Sequence, residues 1–311
     1  MKNFFWIKLM VSILILAALF YYVSTFELGL FSYTISPFLI VILLALLVFS
    51  LAARAWRWYL LMNEKTDQKV TLVLSFKLLL IGQALNFILP ASTGDIAKGY
   101  FGYKQSGIKE RMFTVSLYDK LIGIASIGFL GIFSVIITGE ILYVLLIIIS
   151  FLPFFIIFYF NSLLNLKFFK FFYDLMVKRV KKINFEEIRA NLSFSNKVVI
   201  QSFIISFLAW ITTYALLYIC FITFNLPFSF QSVLILSPII TLARLFPLTL
   251  NGIGSDEALI IYLFSSDTDI YKTGILYATL LYRVVLMVLP ALIGLILINF
   301  SKAKKENNFA T

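Results

Sequence analysis

Residues 86–111 read NFILPASTGDIAKGYFGYKQSGIKER, and this stretch decides the fold. It begins apolar, breaks at Pro90, and passes through Ala91, Ser92, Thr93 and Gly94 to Asp95 and Lys98. A second stretch of the same design, RLFPLTLNGIGSDE, occupies residues 244–257, with Pro247, then Asn251-Gly252-Ile253-Gly254, then Asp256 and Glu257. Some two dozen residues beyond each carboxylate stands a Leu-Tyr pair followed by an ionisable residue: Leu117-Tyr118-Asp119 and Leu281-Tyr282-Arg283. The two stretches read as one internal repeat, and the remainder as a scaffold around it.

That scaffold is a membrane one. The 311 residues are 61% hydrophobic and 13% charged, whereas soluble domains are nearer half apolar and a quarter charged. Apolar runs long enough to cross a bilayer recur along the whole chain, so the expected class is all-α, a polytopic helical membrane protein. The formal net charge of +11 is assigned to cytoplasmic loops and anionic lipid head groups, not to nucleic acid. One cysteine, Cys220, and no histidine leave no intrachain disulfide, cysteine metal cluster or imidazole chemistry. No metal site and no cofactor are expected.

Charge placement sets the topology. Spans are expected near residues 5–23, 37–58, 113–138, 141–160, 198–224 and 271–300, with a basic cytoplasmic connection at 161–197 in which phenylalanines interleave with lysines. That connection reads as a helix lying on the interface or as a solvated basic loop. Residues 70–89 are also apolar, yet basic residues flank them on both sides, so both flanks belong to the cytoplasm. The resolution is a re-entrant hairpin breaking near Pro90 and Gly94, since proline removes a backbone donor and glycine permits a turn. Residues 230–264, broken at Pro247 and Asn251-Gly252 and bounded by loops without basic residues, give a second hairpin from the other face. The expectation is thus one domain over 1–311: six full spans and two re-entrant hairpins in inverted repeats. The halves are about 1–160 and 198–311, and both termini are cytoplasmic. Irregular backbone at membrane depth needs protein or a wet cavity beside it.

Ionisable residues inside the apolar runs are the sharpest chemical signal, because each costs about 2.5–3.5 kcal/mol at the bilayer centre on insertion scales. They are Lys77, Asp95, Asp119, Lys120, Arg244, Asp256, Glu257 and Arg283. They line a polar path or form buried ion pairs fixing helix register, Asp119 with Arg283 for instance. Asp95 and Lys98, three apart, share a helix face; Asp95 can equally cap a helix N-terminus. The small residues Ser92 and Gly94, and Asn251, Gly252 and Gly254 in the second half, leave backbone donors for an anion or simply break a helix. Arg54 and Arg57, beside Trp56 and Trp58, read as a head-group anchor that holds a lipid phosphate at the cytoplasmic face, or as a cluster that only anchors a helix end.

These motifs together resemble a known family, the flippase-like transmembrane region of lysylphosphatidylglycerol synthases (multiple peptide resistance factors) and its stand-alone relatives. The resemblance is carried by Asn86…Leu89-Pro90…Gly94-Asp95…Lys98, by Asp119-Lys120-Leu121-Ile122-Gly123, and by Phe246-Pro247…Asn251-Gly252-Ile253-Gly254…Glu257 with Leu281-Tyr282-Arg283; Arg54 and Arg57-Trp58 also fit. It spans nearly the whole chain. It implies an inner-membrane protein that moves a phospholipid or a lipid-linked sugar between leaflets, with Asn86, Pro90, Ser92, Gly94, Asp95, Lys98, Asp119 and Lys120 from the first half and Arg244, Pro247, Asn251, Gly252, Gly254, Glu257, Tyr282 and Arg283 from the second along the path. The chain ends at Thr311, so the aminoacyl-transfer activity of synthase members is not expected and the protein is not read as an enzyme. Lys98 and Lys120 depart from an arginine frequent in the family, losing a bidentate phosphate grip, and Asp256 from a basic residue. The alternative function is a non-transporting anchor or regulator of a cell-envelope glycosyltransferase, docked through residues 161–197.

Overall fold

Within residues 86–106 one helix ends at Ile88 and another runs from Gly94 to Ser106; residues 89–93, where the first break is expected, lie outside the described residues. The computed structural model describes residues 10, 13–19, 21, 36–66, 69–88, 94–106, 109–138, 194–244, 249, 251–265 and 271–307. The first half contributes α1 (Pro37–Asn63), α2 (Leu72–Ile88), α3 (Gly94–Ser106) and α4 (Lys109–Thr138). The second contributes α5 (Asn196–Thr223), α6 (Phe230–Ala243), α7 (Ser255–Phe264), α8 (Lys272–Arg283), a π-helical turn (Val284–Val288) and α9 (Leu289–Asn307). Among these elements, each half runs long helix, short helix, short helix, long helix, with turns at residues 251–254 before α7 in the second. The expected spans at 141–160 and most of 5–23 lie outside the described residues, as do nearly all of 161–197 and Pro90, Ser92 and Pro247.

Among the described residues, four helices are long and apolar enough to cross a bilayer: Pro37–Asn63, Arg111–Ile132, Asn196–Thr223 and Lys272–Asn299. The chain is an all-α membrane protein. Helices α2, α3, α6 and α7, with 17, 13, 14 and 10 residues, measure roughly 26, 20, 21 and 15 Å at 1.5 Å per residue, short of the ~30 Å hydrocarbon core.

Packing between the halves is reciprocal. Helix α1 lies along α5; α2 packs on α9, and α6 on α4. The second helix of each half thus rests on the last helix of the other. Small residues set the central α1–α5 contact: Ser202, Ser206, Ala209 and Thr213 form a buried stripe on α5 at the four- and three-residue spacing that lets helix backbones approach. Across it, the Ser50 hydroxyl meets Thr213 Oγ1 at 3.0 Å. Outward faces carry exposed Phe38, Val41 and Val48 on α1, Ile200, Ile204 and Leu208 on α5, and Leu292 and Ile296 on α9, as lipid-facing surfaces do. Of the four spans, Arg111–Ile132 is the most enclosed, so its polar side chains face protein.

Gly94 has a reason beyond turning. A Cβ there would fall 2.6 Å from the Gly82 carbonyl oxygen and against the backbone of Leu85 and Asn86. The α3 N-terminus can press onto α2 only without a side chain. Gly94→Ala is expected to destabilise by about 1–3 kcal/mol through this overpacking, read as a lowered melting temperature in detergent; an unchanged melting temperature would contradict the close approach.

Candidate functional site

The break in the first half sets three ionisable groups side by side. Asp119, on the enclosed part of α4, accepts from Arg57 Nε at 2.6 Å through one carboxylate oxygen and from Lys98 Nζ at 3.0 Å through the other. All three are buried, Lys98 to 2% exposure, with the Lys98 ammonium 5.7 Å from the Trp58 ring centre. Arg57 also donates to Ser206 Oγ on α5 at 2.6 Å, so one carboxylate ties α1, α3 and α4 together and its cation reaches the second half. Asp95, in the first turn of α3, is held from α2: Asn86 Nδ2 donates to its carboxylate at 2.9 Å, and its own N–H donates to Asn86 Oδ1 at 3.2 Å. Lys120 Nζ lies 3.9 Å from the other Asp95 oxygen.

The second break is closed by Arg283. Its guanidinium grips both oxygens of Glu257, Nη2 to Oε2 at 2.9 Å. It also touches Asp256 Oδ2 at 3.3 Å and donates to the carbonyls of Gly252 at 2.8 Å and Asn251 at 3.3 Å. Those carbonyls turn toward it because Asn251, Gly252 and Gly254 have φ of 49°, 76° and 85°, the left-handed region that glycine and asparagine tolerate. Asp256 takes a second cation, Arg244 Nη2 at 2.6 Å. Burial of this cluster is near total, with Glu257 at 0% exposure. A Cβ on Gly252 would run into the Asp256 carboxylate.

The halves thus share one device with opposite signs. In each, the helix after the break is tied to the next long helix: Lys98 to Asp119, 21 residues on, and Glu257 to Arg283, 26 residues on. In the first half the cation sits on the short helix, in the second the anion does.

These groups converge on a cavity of ≈ 160 Å³. From the first half Arg54, Arg57, Asn86, Asp95, Lys98, Asp119 and Lys120 line it; from the second, Arg244 and Asn251, with Trp210, Thr241 and Met287. A smaller adjoining cavity holds Glu257, Tyr282, Arg283 and Asp256 and shares Arg244 and Met287 with the first. The elements from the two halves that the sequence marks as ionisable therefore meet.

Several expectations are corrected. Asp119 and Arg283 do not pair; each finds its partners within its own half, because the break places Lys98 and Glu257 closer. Arg54 and Arg57 are not a helix-end anchor: α1 continues to Asn63, which puts Arg57 about one and a half turns inside it, buried and paired. Two of the amides expected to meet an anion are already engaged, and Ala91, Ser92 and Thr93 lie outside the described residues. The Gly254 N–H is taken by Glu257 at 2.7 Å and the Asp95 N–H by Asn86. Lys77 is exposed on α2 and does not line the cavity. Sequence reasoning passed over Gln83, Ser206, Trp210, Thr213 and Thr241. Gln83 sits three residues before Asn86 in an apolar run, which was a usable signal; Trp210 reads only as one more aromatic in a span.

The family model described as the lysylphosphatidylglycerol synthase TM region matches residues 5–294. No curated protein and no solved structure matches the chain. The chain belongs to the family of the lysylphosphatidylglycerol synthase transmembrane region.

Proposed function

We propose that the protein is a lipid flippase-like transporter, not an enzyme, moving a phospholipid or lipid-linked sugar between the leaflets of the inner membrane. The observation that carries this reading is the polar cavity, lined by charged residues from both halves, in a chain whose outer helix faces are apolar. Ionisable residues at membrane depth are costly and generally mark a substrate path. The short helices on either side of each break support two re-entrant hairpins, and the reciprocal packing of α2 on α9 and α6 on α4 supports two related halves. With basic flanks inside, the repeats would be inverted and both termini cytoplasmic, a plan recurrent among transporters. The head group would ride in the cavity while the acyl or prenyl tail stays in lipid, and alternate opening of the two broken segments would pass it across.

The test is a leaflet assay in proteoliposomes. Asp95 and Lys120 are the paired groups most open to the cavity, with side chains 27% and 20% exposed, so they can be neutralised with little structural cost. Asp95→Asn and Lys120→Gln are each expected to slow lipid flipping by roughly ten- to a hundredfold, the loss of one charge-assisted contact in the transition state, while the protein stays folded. Rates equal to the unaltered protein would remove the transporter reading.

A further inference from the structure

The charges around the two adjoining cavities do not balance. Among the described residues, six cations, Arg54, Arg57, Lys98, Lys120, Arg244 and Arg283, face four carboxylates, Asp95, Asp119, Asp256 and Glu257. Every carboxylate is already engaged by the chain. Asp119 and Asp256 each hold two cations, Glu257 holds Arg283 and a backbone N–H, and Asp95 holds the Asn86 amide beside Lys120. An incoming ammonium would have to displace one of them. The surplus is of positive charge, and it has a location. Arg54 has no carboxylate partner among the described residues. Its Nη2 donates to Thr213 Oγ1 at 2.8 Å, and its guanidinium stacks 4.8 Å from the Trp210 ring centre, contacts that orient the group without neutralising it. Trp210 is fixed in turn by donating to the Gly123 carbonyl at 3.1 Å. On the other half, Arg244 keeps its Nε buried with no acceptor, an arrangement disfavoured unless an acceptor arrives. Both arginines line the same cavity.

We infer that Arg54 and Arg244 form an anion site, one cation from each half, that selects a phosphate-bearing head group of net negative charge over ammonium-bearing ones. A planar guanidinium with unfilled N–H donors matches a phosphate oxygen pair. That the phosphate arrives on a lipid rests on the transporter reading; the site itself does not.

Native mass spectrometry of the full chain in detergent tests this, with phosphatidylglycerol, phosphatidylethanolamine and synthetic lysyl-phosphatidylglycerol of matched acyl chains. The unaltered protein is expected to bind phosphatidylglycerol about tenfold more tightly than either ammonium-bearing lipid. Arg54→Gln should reduce that preference to about twofold, and Arg54→Lys should keep part of it because the charge remains while the fork is lost. Arg54 neutralises no carboxylate, so its removal strands no buried charge and the variant should fold. Competition by millimolar inorganic phosphate would uphold the site and assign it to a free anion; failure to compete, with the lipid preference intact, would uphold it as a head-group site. No preference in the unaltered protein, or one unchanged in Arg54→Gln, overturns the proposal. A preserved preference with no flipping would instead remove the transporter reading and leave the site standing.

Discussion

Arg283→Leu is expected to leave little folded protein, at a cost of about 3–5 kcal/mol, because it strips the cation from a buried carboxylate. Glu257 has no exposure and two contacts to this one guanidinium. The backbone N–H of Gly254 would remain as its donor, which does not offset a buried negative charge. Asp256 would keep Arg244, so the damage should centre on Glu257. The loop between α6 and α7 would also suffer, since the same guanidinium holds the carbonyls of Asn251 and Gly252 in their left-handed conformation. This origin makes a sharp secondary expectation: Arg283→Leu combined with Glu257→Gln should recover much of the loss, as no charge is then stranded. Thermal melting with size-exclusion profiles in detergent reads both. A double variant no better than the single one would show that the carbonyl contacts, not the ion pair, hold the second break together.

The second break was legible in the sequence because punctuation inside apolar runs has few causes. Asn251, Gly252 and Gly254 do adopt left-handed backbone, and the Leu-Tyr-ionisable pair does mark the positions, Asp119 and Arg283, that tie each short helix to the next long one. Partner choice was not legible. Spacing along a helix fixes a face, but not which helix lies against it, so Asp119 with Arg283 was as good a pairing on paper as Asp119 with Lys98. The neighbour relations come instead from the small stripe of Ser202, Ser206, Ala209 and Thr213, residues common to many spans. The depth of Arg57 was misjudged for a related reason: the aromatic and basic cluster looked like an interfacial belt, while the helix runs on past it to Asn63. Lys77 and Lys98 both stand in or beside apolar segments, and only the packing distinguishes an exposed lysine from one with 2% exposure. Sequence spacing also did not show that the side chains of Glu257 and Asn86 reach back to the amides of Gly254 and Asp95.

Asp119→Asn is the counterpart in the first half, where the stranded charges would be positive. The carboxylate separates Arg57 at 2.6 Å from Lys98 at 3.0 Å; an amide would leave two buried cations facing each other with one neutral acceptor between them. The expected cost is about 3–5 kcal/mol, accompanied by loosening of α3 from α4. Lys98→Met should cost less, about 1–2 kcal/mol, because Arg57 still neutralises Asp119 and the methionine fills the volume beside Trp58. The double variant Asp119→Asn with Lys98→Met removes one of the two clashing cations, so it should be more stable than Asp119→Asn alone. That inversion, a second change raising the melting temperature, is the signature of a shared carboxylate, because independent sites add. If the two costs simply summed, Asp119 would be serving Arg57 alone. The tie between the short helix and its long neighbour would then have to come from helix packing, without the charge device that the two halves share in opposite sign.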